Sequence, residues 1–276
     1  MEPSPRSAAD DLLLIGAGAL GRRVGRLWLA RHPQARVLAE TRSERFHPTL
    51  REDGMIPQLR SDPAPPAMPT VLFSVPPASQ DDYAAEAARA ASLWRGDGRL
   101  VITACTAVYA EADGGRCVEG SPLADSPRAW RLREAEEPLL AAGAVVVRLA
   151  GLYDCDRGPH RVYLRTATSA RRPDGLISLI HYDDAARLCV QASCLGDAGA
   201  IYLGCDDQPI TRQELVQAVV RSPRYRTAKV PPQACRFTGA EGPIGRRCDS
   251  SWTRRALDWE PTHRRFLDWI DEIQER

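Results

Sequence analysis

The hexapeptide Gly16-Ala17-Gly18-Ala19-Leu20-Gly21 carries the clearest chemical signal in the chain. It lies between an apolar run, Leu12–Ile15, and a stretch, Ala19–Arg31, whose Leu20, Val24, Leu27 and Trp28 recur at helical spacing. In such a strand–loop–helix setting the first glycine permits the tight turn out of the strand. The second lets a pyrophosphate approach the backbone, and the third lets the helix pack closely on the sheet. The start of the helix then presents unpaired N–H groups and a partial positive charge to the phosphate. Gly16, Gly18, Ala19, Leu20 and Gly21 are therefore expected to cradle the pyrophosphate of a dinucleotide.

The end of the next strand bears on which dinucleotide. An acid there holds the ribose 2′-hydroxyl of NAD, whereas an arginine accommodates the 2′-phosphate of NADP. The residues are Ala39-Glu40-Thr41-Arg42-Ser43. A strand ending at Glu40 favours NAD, and one ending at Thr41 leaves Thr41, Arg42 and Ser43 around the phosphate. Thr-Arg-Ser supplies a cation and two hydroxyls together, so NADP is the expected cofactor, with NAD as the alternative.

These groups need a parallel sheet to hold them. Strands are predicted over 12–15, 35–40, 55–59, 70–75, 99–103, 144–149, 176–180 and 199–203. Helices are predicted over 19–31, 81–94, 128–142, 184–194 and 211–221, the last with Thr211 and Glu214 as a capping box. His32-Pro33 stops the first helix, 62–69 is a stiff Pro-rich connector, 154–173 is irregular, and 250–274 is mostly helical. The alternation implies an α/β, Rossmann-type doubly wound parallel sheet of about seven strands, with a smaller C-terminal substrate lobe. The dinucleotide-binding domain is expected over 11–157 plus 176–200. The lobe is expected over 158–175 plus 201–276.

Composition excludes several classes. A net charge of +1 over 276 residues gives no field to recruit nucleic acid or an anionic membrane. Eight cysteines form no CxxC pair and no zinc-ligand spacing, which reads as buried thiols in a reducing compartment. The first eleven residues lack a basic n-region and a long apolar stretch, so the protein is expected to be cytoplasmic behind a short disordered leader. Asp206-Asp207 and the Asp154/Asp156 pair read as turn residues, and no metal is assigned. Trp252, Trp259 and Trp269 read as packing for a helical lobe.

The chain resembles the atypical branch of the extended short-chain dehydrogenase/reductases, the NAD-dependent epimerase/dehydratase family, over about 12–270. The resemblance rests on ordered landmarks at 16–21, 73–77, 103–109, 147–153, 180–186, 202–214 and 245–261. It implies that Ser74, Val75 and Pro76 lie along the cofactor. It also implies that Thr103-Ala104-Cys105-Thr106 occupies the place of the family's Ser/Thr motif, whose hydroxyl bonds the substrate oxygen. Cys105 then stands at the usual serine, with Thr106 a hydroxyl able to substitute for it, or Cys105 is simply a small residue packed at a strand end. The family's helix-borne Tyr-x-x-x-Lys pair is missing. Residues 128–137 contain neither residue type, and Lys229 is the chain's single lysine, far downstream. Arg131 or Arg128 would supply a positive charge near the nicotinamide ribose, with a geometry unlike lysine's.

Tyr109, Tyr153, His181 and Tyr182 are the candidate alternative acids, because their motifs fall near strand C-termini. His-Tyr-Asp-Asp at 181–184 also reads as a structural turn into a helix capped by Asp183 or Asp184. The arginine-rich segment 157–172, with His160 and Tyr163, suits an anionic small-molecule substrate or a solvated surface loop. The resemblance further implies a homodimer through the helices at 81–94 and 128–142. Two functions follow from these readings. One is an NAD(P)-dependent oxidoreductase or epimerase-like enzyme acting on a small hydroxyl or carbonyl compound such as a sugar derivative. The other is a non-catalytic dinucleotide-binding sensor or scaffold.

Overall fold

The computed structural model describes residues 8–77, 81–226 and 235–273; Lys229 lies outside them. The first half of the chain runs β1 (Leu12–Ile15), α1 (Ala19–Arg31), β2 (Val37–Thr41), α2 (His47–Glu52), β3 (Ile56–Leu59), β4 (Thr70–Phe73), α3 (Tyr83–Ser92) and β5 (Leu100–Cys105). There follow β6 (Asp113–Cys117), α4 (Pro127–Ala141), β7 (Val145–Leu149), β8 (Gly151–Tyr153), α5 (Pro159–Tyr163), β9 (Thr168–Ser169), β10 (Leu176–Ile177), β11 (Leu179–His181) and α6 (Tyr182–Leu195). The remainder is β12 (Ile201–Gly204), β13 (Ile210–Thr211), α7 (Arg212–Arg221), α8 (Pro223–Arg226), β14 (Arg236–Phe237), β15 (Gly245–Cys248), α9 (Ser251–Leu257) and α10 (Phe266–Glu272).

Seven strands form one sheet in the order β12-β7-β5-β4-β1-β2-β3, every pair parallel. The order reverses between β1 and β4, which opens a crevice above their C-terminal ends. Every residue of β1, β4 and β7 is buried, as expected of strands covered on both faces. Helices α1 and α6 pack together, as do α3 and α4, and supply those covers.

The lobe differs from its expected outline. Ile201 and Tyr202 pair with Val146 and Val147, so β12 is the seventh strand of the main sheet rather than part of the lobe. Trp259 and Leu257 also belong to the main core. A second apolar cluster, including Tyr153, Tyr163, Ile210, Leu215, Phe266 and Trp269, forms the lobe's own core. The three tryptophans thus separate: Trp259 in one core, Trp269 in the other, and Trp252 stacked on Tyr202 at a centroid distance of 5.5 Å.

Other boundaries shift for local reasons. β4 stops at Phe73, since Ser74 and Val75 already turn along the glycine loop. The run 176–180 breaks at Ser178, whose hydroxyl donates to the Arg246 carbonyl oxygen at 3.0 Å. Helix α4 starts at Pro127, where Ser126 Oγ accepts from the Ala129 N–H at 3.3 Å. The C-terminal stretch splits into α9 and α10 after Asp258, which adopts a φ of 45°. The parallel β6–β15 ladder joins residues more than a hundred positions apart.

Candidate functional site

The three glycines of the loop differ in what their missing side chains accommodate. Gly16 has a φ of +91°, and a Cβ there would lie 2.8 Å from the Ser74 carbonyl oxygen and 2.9 Å from Val75 Cγ2. A Cβ on Gly21 would lie 2.8 Å from the Gly16 carbonyl oxygen. Around Gly18 no heavy atom lies within 4 Å of that position. The protein's own packing thus requires the first and third glycines, while the second borders open space.

Hydrogen bonds fix the loop. The N–H groups of Gly16 and Ala17 donate to the Glu40 carbonyl oxygen at 3.2 and 3.0 Å, and Ser74 N–H donates to Ile15 O at 2.8 Å. No side chain caps α1 at Gly18, and no acid occupies its first turn. Its initial N–H groups and dipole are therefore available to an anion. An open face at Gly18 with an uncapped helix start fits a pyrophosphate.

Strand β2 ends at Thr41, one residue beyond the expected boundary. Glu40 turns to the α3 side, where Arg89 binds both its carboxylate oxygens, one at 3.1 Å through Nη1 and the other through Nη2. Arg89 also donates to Glu86 at 3.3 Å, and Glu86 is held by Arg60 at 2.8 Å. The Arg60 hydrogen bond keeps the Glu86 carboxyl below its usual range. Glu40 is buried within this chain of charges. Thr41 Oγ1 donates to Ser43 O at 3.0 Å and lies 2.8 Å from His47 Nε2, while Arg42 and Ser43 are exposed.

At the end of β5, Thr103 Oγ1 donates to Phe73 O at 3.3 Å, and Cys105 Sγ accepts from the Ala107 N–H at 3.4 Å. Cysteine here does the capping work of a serine at the start of a short 3₁₀ turn. Cys105 and Thr106 are half-buried at the C-terminal edge of the sheet. The Thr106 carbonyl oxygen accepts from Tyr109 N–H at 3.2 Å and from Arg246 Nη1. Arg246 on β15 was not apparent from sequence, since 140 positions separate it from Thr106.

Tyr109 turns inward. Its hydroxyl donates to Glu119 O at 3.1 Å, the Arg148 guanidinium lies 5.0 Å from its ring centroid, and burial pushes the phenol up to about 12. Tyr153 is fully buried, with its hydroxyl lacking a partner among the described residues and its ionisation pushed further up by burial. His181 itself caps α6, in place of Asp183 or Asp184: its Nδ1 accepts from Asp183 N–H at 3.2 Å. Its ring stacks on His263 at 3.8 Å, and burial with that neighbour lowers its pKa to about 4. Asp184 instead accepts from the N–H groups of Thr262 and His263 at 2.8 and 2.9 Å.

Two further arginines touch the crevice. Arg23, two residues after the glycine loop, donates to Asp154 at 2.9 Å and Asp183 at 2.7 Å, with its guanidinium 5.0 Å from the Tyr182 ring centroid. Arg131 Nη2 donates to Pro77 O at 2.9 Å, which places a guanidinium of α4 beside the segment after β4; Arg128 is exposed. In the 157–172 segment, His160 is buried against Tyr225 at 3.1 Å and pushed down to about 4 by burial, and Tyr163 packs the lobe core. Arg172 pairs with Asp174 at 2.6 Å.

A groove of about 540 Å³ lies at the β12 edge of the sheet, bordered by Trp252, Arg116, Glu119 and Arg255. It shares no residue with the glycine loop or the end of β5. Among the described residues no helix is long and apolar enough to cross a membrane, and no group of three or more His, Cys, Asp or Glu is arranged to hold a metal.

The sequence matches no protein-family model and no curated protein. Solved structures do match. A functionally unknown conserved protein from Silicibacter pomeroyi aligns with a TM-score of 0.75 at 24% identity, over 96% of this chain and 98% of that one. A UDP-N-acetylglucosamine 4-epimerase from Methanobrevibacter ruminantium, in complex with UDP-N-acetylmuramic acid, aligns with a TM-score of 0.75 at 11% identity, over 96% and 97%. A dTDP-glucose 4,6-dehydratase from Bacillus anthracis, in complex with NAD, aligns with a TM-score of 0.72 at 12% identity, over 96% and 97%. The chain therefore has, over 96% of its length, the Rossmann-type fold of the epimerases and dehydratases among its structural neighbours.

Proposed function

We propose that this protein is an NADP-preferring oxidoreductase or epimerase-like enzyme, cytoplasmic, acting on a hydroxyl or carbonyl of a small sugar-derived and anionic compound. The observation that carries this reading is the open, uncapped surface at Gly18, next to Gly16, which is packed against Ser74 and Val75. Gly18, Ala19, Leu20 and Gly21 hold the pyrophosphate, with Ser74, Val75 and Pro76 alongside and Thr103 beneath. Thr41, Arg42 and Ser43 receive the 2′-phosphate, since Glu40 is committed to Arg89. When bound, the nicotinamide accepts or returns a hydride.

At the other end of the crevice, Cys105 and Thr106 hold the substrate oxygen. His181 is neutral near pH 7, and because its Nδ1 accepts a backbone N–H, its ring proton sits on Nε2 as a donor. Arg131 supplies positive charge on the α4 side. Structural neighbours in complex with NAD and with UDP-sugars support both the cofactor class and the substrate class. Eight free thiols suit a reducing compartment.

A second reading, a non-catalytic dinucleotide sensor or scaffold, is favoured by one observation. Helix α4 offers neither tyrosine nor lysine, and the Tyr109 and Tyr153 hydroxyls are buried. The test is incubation with deuteride-labelled NADPH and a panel of UDP- and dTDP-linked keto-sugars and simple carbonyl acids, read by mass spectrometry. Deuterium in a product establishes the enzyme. Saturable NADPH binding with no deuterium in any compound of the panel supports the sensor.

A further inference from the structure

Arg246 is a half-buried cation beside the end of β5. It shares a face of β15 with Cys248, whose side chain is buried in the main core. From there it reaches the end of β5 and donates through Nη1 to the Thr106 carbonyl oxygen. It has no ion pair among the described residues. Glu111 acts on it through space, and its Oε1 accepts from the N–H groups of Asp113 and Gly115, at 2.7 and 2.9 Å.

Several other partly buried arginines meet a carboxylate, whereas Arg99 and Arg212 donate to backbone carbonyl oxygens. Arg89 has Glu40, Arg148 has Glu136, Arg23 has Asp154, and Arg254 has Asp207 and Glu260. Taking a guanidinium partly out of water is unfavourable unless a carboxylate or its equivalent meets it. One of its five N–H donors is fixed by Thr106, which orients the fork while leaving the others for a ligand.

We propose that Arg246 receives the carboxylate of the substrate, which makes the substrate a hydroxy or keto acid, uronic acids included. The proposal rests on the reading of Cys105 and Thr106 as the groups that hold the reacting oxygen. Thr106 contributes both to that site and, through its carbonyl, to the placement of Arg246, so the carboxylate and the reacting carbon lie close together. A guanidinium pairs with a carboxylate through two parallel hydrogen bonds and balances its single charge. A phosphoryl dianion would keep one charge unmatched by this residue.

The test is titration of the full-length ¹⁵N-labelled protein with D-glucuronate, and with D-glucose as the neutral match, followed by NMR with and without NADPH. The expected result is saturable shifts from glucuronate at the Thr106 and Ala107 amides and the Arg246 Nε–H, and none from glucose. Arg246→Gln should weaken glucuronate binding by about tenfold or more, and Arg246→Lys by less, because it keeps the charge without the fork. The spectrum of each variant away from β15 reports whether it is folded, and Arg246→Lys carries the comparison if the glutamine variant is not. Equal shifts with glucose, no shift at Arg246, or unchanged affinity in the variants would overturn the proposal. Anion shifts without NADPH binding leave Arg246 standing and refute the cofactor reading, whereas NADPH binding without them does the reverse.

Discussion

Arg89 on α3 binds both carboxylate oxygens of Glu40, the penultimate residue of β2, and buries that acid in an ion pair. The exposed groups beyond the strand are Arg42 and Ser43. Arg42→Ala should therefore weaken NADPH by about tenfold to a hundredfold, the value of one charge-assisted contact of about 1.5–3 kcal/mol. NADH affinity should change by about twofold or less. Fluorescence titration of the two reduced cofactors checks this, and equal losses for both would remove the 2′-phosphate from Arg42.

Gly18 borders open space, so a larger residue there meets the ligand and not the protein. Gly18→Val should unfold within a few degrees of the parent in a thermal scan, and should lose dinucleotide binding by about a hundredfold or more. Gly16→Ala should behave in the opposite way. Its positive φ and the 2.8 Å approach to Ser74 O make it a folding defect first. A Gly18→Val protein that binds NADPH normally would place the pyrophosphate elsewhere.

Glu136 and Arg148 form a buried ion pair at 2.6 and 3.1 Å, with side chains 1% and 3% exposed. Burial drives the Glu136 carboxyl up, and Arg148 opposes that shift. Removing one partner strands the other, so Glu136→Gln should cost about 3–5 kcal/mol in urea unfolding. The double variant Glu136→Leu with Arg148→Met should recover most of that loss. A single variant as stable as the parent would mean the pair is dispensable.

Mild acid should destabilise the fold through two buried histidines. His160 and His181 are both held near 4 by burial, against an ordinary value of about 6.5. The unfolded chain takes up protons that the folded state refuses, so stability is full above about pH 6.5 and declines as the pH falls towards about 4. Each histidine contributes about 3 kcal/mol over that window. Urea midpoints at neutral and mildly acidic pH measure it. A flat profile from about pH 7 to 5 would contradict the neutral, buried placement of both rings.

Much of this was legible where the signal is local. The glycine loop, its flanking strand and helix, and the Thr211–Glu214 capping box follow from residues a few positions apart. The apolar runs of β1, β4 and β7 were equally plain, because strands covered on both faces must be apolar throughout. Groups paired across the fold were not legible. Arg89 meets Glu40 from 49 positions away, Arg23 meets Asp154 from 131, and Arg246 meets Thr106 from 140. The β6–β15 ladder is built from Asp-Gly-Gly-Arg-Cys and Gly-Arg-Arg-Cys, which carry little intrinsic strand preference and pair only because the lobe folds back. His181 looked like a candidate acid by residue type, while its capping role depends on ring orientation, which no spacing reveals.

Calorimetric titration of the purified protein with NADPH, NADP, NADH and NAD tests the central claim most directly. The account expects saturable binding, tighter for the phosphorylated pair, and abolished by Gly18→Val in a protein that remains folded. Binding by none of the four would contradict it, and would leave the open face at Gly18 without a dinucleotide.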